Sequence, residues 1–96
     1  MNIADPKQYD VFRLHLKQKI ENCLGLIDER IAEISLAKDT AVNALEAKRQ
    51  FGKVEAYMDV MRLLFTDDYD EMLNNARFQG VNERMKRLQT VIDMVL

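Results

Sequence analysis

Ninety-six residues carrying 14 Lys plus Arg against 16 Asp plus Glu, a formal charge of −2, exclude two extremes. The chain has neither the cationic footprint of a general nucleic-acid binder nor the acidic surface of a DNA mimic. No Trp, three Gly and one Pro leave little from which to build strands or long ordered loops, whereas good helix formers abound, so the expected class is all-α in one domain, 1–96.

At the N-terminus, MNIADPKQYD has no basic segment followed by an apolar core, and no apolar run approaches the length of a membrane span. A cytoplasmic protein is expected. Asp5 is suited to cap a helix, Pro6 to occupy its first turn, and Gln8 stands at capping-box spacing. Downstream, Tyr9, Leu16, Ile20, Cys23, Ile27, Ile31, Ile34, Ala41 and Leu45 fall on one face at a period near 3.6 residues. Cys23 is the only cysteine, which rules out an intramolecular disulfide, and its place on the stripe reads as a small buried hydrophobe.

The weak point of this helix is SLAKDT, residues 35–40, where Ser35, Asp39 and Thr40 are better caps than interior residues. A hairpin turning near Asp39 is one outcome. Continuity is favoured, because the stripe keeps its phase through Ala41 to Leu45 and no Gly or Asn offers the left-handed residue that commonly closes a helix. A continuous helix over 6–50 would span about 67 Å.

Ala44, Ala47, Phe51, Val54, Met58, Met61 and Phe65 then alternate in strict 4-3 spacing, the pattern of a helix-packing seam. Gly52 lies inside that seam without breaking its phase, so it reads as an interior residue that permits a kink or close approach. Thr66, Asp67 and Asp68 mark the next boundary, with Glu71 completing a capping box from Asp68. A helix over 68–79 carries Tyr69, Met72, Leu73 and Ala76 and ends at Gly80; Asn82 caps a last helix over 82–95 with Val81, Met85, Leu88, Ile92 and Val95 along one side.

Motifs that carry chemistry are sparse. Ala76, Gly80 and Val81 match the spacing of a DNA-reading helix-turn-helix, but Gln79, Lys86 and Gln89 stand where its core should be apolar. The cluster Lys48, Arg49, Lys53 and the cluster Arg84, Lys86, Arg87 offer an anion or nucleic-acid contact, without any phosphate-binding glycine loop. Glu29 and Glu33 are one turn apart, and Asp67, Asp68, Asp70 and Glu71 crowd a helix start; neither set completes a metal site, and no metal or cofactor is expected. His15 is the single histidine, expected half exposed at the edge of the first stripe. Ser35, Thr40, Thr66 and Thr90 have no histidine near them in sequence to activate them. The methionines 58, 61, 72, 85 and 94 suit either a core or an adaptable binding surface.

The expected architecture is therefore a long N-terminal helix, turned near Asp39 or kinked near Gly52, packed with two shorter C-terminal helices. The expected function is non-enzymatic: a helical interaction protein that self-associates through Phe51, Val54, Met58, Met61 and Phe65 and binds a further protein partner. The alternative is a small regulator that binds nucleic acid or a nucleotide through Lys48, Arg49, Lys53, Arg84, Lys86 and Arg87.

Overall fold

Four helices succeed one another in the computed structural model, which describes residues 6–95: α1 (Pro6–Ser35), α2 (Thr40–Leu64), α3 (Thr66–Leu73) and α4 (Ala76–Val95). No strand occurs among the described residues, so the chain is all-α, with the long helix α1 packed against α2 and α4. Asp5, expected to cap α1, lies outside the described residues. The molecule measures 49 × 21 × 20 Å, and α1 alone, 30 residues long, accounts for about 45 Å of the long axis.

The chain does not run through residues 35–40. It reverses there, and α2 packs antiparallel along α1. The closure is a Schellman motif: the Lys38 N–H donates to the Glu33 carbonyl at 3.0 Å and the Ala37 N–H to the Ile34 carbonyl at 2.9 Å. Ala37, at φ 58°, takes the left-handed position that glycine usually fills, and Asp39 comes next in that region at φ 41°. The helix ends here without the Gly or Asn that commonly closes one; alanine adopts this conformation at a cost of about 1–2 kcal/mol, and packing of the hairpin offsets it. Asn43, only 4% exposed, clasps the turn. Its amide donates to the Lys38 carbonyl at 2.8 Å and its carbonyl oxygen accepts from Arg30 at 3.2 Å.

Reversal also resets the apolar phase. Ala41 and Leu45, expected to extend the first stripe, are exposed, while Ala44 and Ala47 are buried. Leu16, Ile20, Cys23, Leu24 and Ile27 of α1 meet Ala44, Ala47, Val54, Met58 and Met61 of α2, joined by Phe78, Val81, Met85, Leu88 and Ile92 of α4. Two alanines on α2 let the hairpin helices approach closely. Gly52 is interior to α2, as expected, but no close neighbour accounts for it. α2 is one helix, and a methyl group placed there would meet nothing within 4 Å.

α2 stops at Phe65, whose backbone leaves the helical region at φ −137°, ψ 67°. The boundary falls where the acidic residues predict it, for a different reason. No side chain caps α3, and Asp68 is 6% exposed, facing α1 rather than its own N-terminus. The α3–α4 boundary lies earlier than expected, at Asn74 and Asn75. The Asn75 side chain accepts from the Phe78 N–H at 3.1 Å, the geometry of an N-cap. Gly80 and Asn82 are consequently inside α4. A helix-turn-helix would need Gly80 in its turn, so that motif is absent.

Candidate interaction groove

Of the five residues expected to form a self-association interface, Val54, Met58, Met61 and Phe65 are buried within the chain and Phe51 is half-buried against the same cluster. The seam on α2 is real, but its partners are α1 and α4. The 4-3 pattern identifies a packed face without telling an intramolecular neighbour from a second chain.

What the described residues leave uncovered is the other flank of the α1–α2 hairpin. At about 100° per residue, Arg13, Lys17 and Asp28 lie on one side of the α1 core stripe, and Gln8, His15 and Lys19 on the other. The first side carries α3 and α4. Arg13 Nε and Lys17 Nζ reach the Asp68 carboxylate at 2.5 and 2.9 Å, and Arg84 and Arg77 of α4 approach Asp28 at 2.6 and 3.8 Å. The second side has no described helix upon it.

On that open flank a groove of 620 Å³ runs between the N-terminal half of α1 and the C-terminal half of α2. Val11, Phe12 and Leu16 of α1 and Tyr57 and Val60 of α2 form its apolar floor; Lys7, Gln8, His15 and Lys19 edge it. The volume falls in the range of sites that hold ligands or partner side chains. Val11 and Phe12 are 55% and 45% exposed, adjacent and apolar on a surface where isolated apolar residues are the norm. Among the described residues, no carboxylate lines the groove.

Local structure fixes this groove firmly. Phe12 packs against Phe65 in a tilted arrangement at 5.8 Å between centroids, and Tyr9 meets the same ring edge-on at 4.7 Å. The Tyr9 hydroxyl donates to the Leu64 carbonyl at 2.7 Å, so it satisfies a carbonyl at the end of α2. The wall contributed by α1 is thus pinned to the α2 terminus.

The basic residues do not converge. Arg49 is paired with Glu46 at 2.6 Å, Arg84 with Asp28, and Arg87 approaches Glu83 at 3.9 Å. Lys48 and Lys86 alone share a depression, of 190 Å³ between α2 and α4, with Phe51 and with Glu55 on its lining. Lys53 is exposed on another side of α2. Hydrogen bonds from Arg49 and then Gln50, outweighing some desolvation, lower the Glu46 carboxyl from 4.5 to about 2, which keeps it ionised opposite Arg49. Gln50 itself is buried, and its Oε1 has no hydrogen-bond partner among the described residues.

No group of three or more His, Cys, Asp or Glu side chains among the described residues is placed to hold a metal ion. Glu29 is exposed and Glu33 half-buried on the open flank of α1. His15 is exposed at the groove rim rather than at the core edge. Among the described residues no helix is long and apolar enough to cross a membrane. Sequence reading missed Val11, Phe12, Tyr57 and Val60 as a set, because the groove unites two helices that only the turn at Ala37 brings side by side. Comparison with protein-family models, curated proteins and solved structures gave no match.

Proposed function

We propose that the chain is a non-enzymatic helical interaction module of the cytoplasm, and that it works through the open flank of the α1–α2 hairpin. The supporting observation is the apolar groove of Val11, Phe12, Leu16, Tyr57 and Val60 on a hairpin face to which no other described helix is docked. A two-helix groove presenting an aromatic floor and a polar edge suits an amphipathic helix laid along it. The basic-surface alternative has less support, since Arg49, Arg84 and Arg87 already face carboxylates of the same chain.

The test uses the wild-type chain and a Phe12→Asp/Val60→Asp double variant as baits in an extract of the native host. Proteins retained by the wild type, confirmed as purified binders and lost with the variant, are the expected result. Equal retention by both baits overturns the reading.

A further inference from the structure

The open flank of α1 extends well beyond the groove. Phe12, His15, Lys19, Asn22, Leu26, Glu29 and Glu33 lie along one side of α1 at alternating intervals of three and four residues, a mainly polar strip beside the buried stripe. All are exposed except the half-buried Glu33, and Leu26, in the middle, is 39% exposed. Leu36 continues the line: its N–H still donates to the Ala32 carbonyl at 3.2 Å, so its backbone keeps to the helical path, and its side chain is 65% exposed.

This strip is ordered by charge. Its N-terminal part carries the cation Lys19 and the imidazole of His15 beside the groove; its C-terminal part is acidic, with Glu29 and Glu33. The two parts mirror one another about the level of Leu24. Lys19 and Glu29 are equidistant from that level, as are His15 and Glu33, Asn22 and Leu26, and Phe12 and Leu36. Two copies related by a two-fold axis through that level, with their α1 helices antiparallel, would therefore set Lys19 of one strip against Glu29 of the other and the His15 imidazole against Glu33. The same rotation lays the exposed Leu36 of one copy at the Phe12 groove of the other. In an antiparallel helix pair the first seam position of each heptad meets the second of its neighbour, and all four pairings obey that rule. A two-fold interface is self-complementary by construction, and this strip meets that condition in charge at Lys19 and Glu29 and in apolar character at Phe12 and Leu36.

We infer that the occupant of the open flank is a second copy of this chain, docked antiparallel through α1 with Lys19 facing Glu29 of the other copy and Leu36 entering its groove. The inference rests on the reading of this flank as an interaction surface and specifies the partner. Charged residues at seam positions make the association reversible and salt-sensitive, since exposed ion pairs are screened over about 8–10 Å at physiological ionic strength.

Sedimentation and light scattering over a concentration series test it, with circular dichroism checking that each variant keeps its helix content. The wild type is expected to form a dimer that dissociates as salt rises. Lys19→Glu and Glu29→Lys are each expected to weaken it by about tenfold or more, and the Lys19→Glu/Glu29→Lys chain to recover most of the loss. A folded wild type that stays monomeric at about 0.5 mM overturns the dimer, as does a dimer indifferent to both single reversals. If that monomer still loses a purified partner on Phe12→Asp/Val60→Asp substitution, the interaction reading stands and only the self-docking fails. A monomer whose binding is unchanged by that double substitution overturns both.

Discussion

Asp68, 6% exposed at the start of α3, is bound by Arg13 of α1 at 2.5 Å, 55 positions earlier in the chain. Lys17, one turn further along α1, holds the other carboxylate oxygen at 2.9 Å. The burial is asymmetric, because the two cations remain 45% and 30% exposed. Removing the carboxylate lets both turn to water, whereas removing the cations strands a buried charge. Asp68→Asn is expected to cost about 1–2 kcal/mol and Arg13→Met/Lys17→Met about 3 kcal/mol. Urea unfolding of the two variants against wild type measures the difference, and a larger loss from Asp68→Asn would contradict it.

Ala37 occupies a position that glycine adopts without the steric cost of a Cβ. Ala37→Gly is therefore expected to stabilise the chain by about 1 kcal/mol, with some of the steric gain returned as entropy of the unfolded chain. Thermal unfolding should show a raised midpoint. A lowered one would mean that the reversal is not closed at Ala37.

Gly52 gives the opposite case. Its φ is not positive, and an added methyl would have open space, so Gly52→Ala should gain about 1 kcal/mol from helix propensity alone. Gly25 lies under the Arg77 guanidinium, 3.2 Å from where a Cβ would stand. That group is the mobile end of a long side chain, so Gly25→Ala is expected to gain less than Gly52→Ala in the same unfolding experiment.

Glu46 links the fold to pH. Its carboxyl is lowered from 4.5 to about 2 by hydrogen bonds from Arg49 and Gln50. The folded protein therefore binds this proton less readily than the unfolded chain does. The stability it contributes is complete above about 4.5 and is lost as pH falls toward 2. The Glu46 carboxyl carbon, tracked by NMR, should titrate near 2 rather than at the ordinary value of 4.5, and Arg49→Ala should bring it back up toward that value. An unshifted titration in the wild type would refute the assignment.

The sequence is informative wherever periodicity alone decides. The α1 stripe from Leu16 to Ile27, the α2 seam except the half-buried Phe51, and the Val81, Met85, Leu88, Ile92 face of α4 are buried as their spacing predicts. It misleads where chain direction depends on a single backbone conformation. Alanine carries no propensity for the left-handed state of Ala37, so the only residue-type signals for the reversal that pairs α1 with α2 are the cap-forming Ser35, Asp39 and Thr40, which the unbroken apolar phase outweighs. The groove inherits that failure, because Phe12 and Val60 are neighbours only through the reversal. The Asn74–Asn75 pair was a usable signal, since asparagine favours helix ends, but the glycine at position 80 offers a stronger one in the wrong place. For the ionic contacts of Asp68 and Asp28 no sequence pattern exists, as their partners lie in other helices.

Cys23, the single cysteine, is 7% exposed in the core between α1 and its neighbours. The chain thus contains a built-in chemical clock. A thiol reagent reaches that sulfur when α1 parts from the core packed over it, so the labelling rate under native conditions reads the frequency of such openings. With one thiol there is one signal to record, and no substitution is needed to place it.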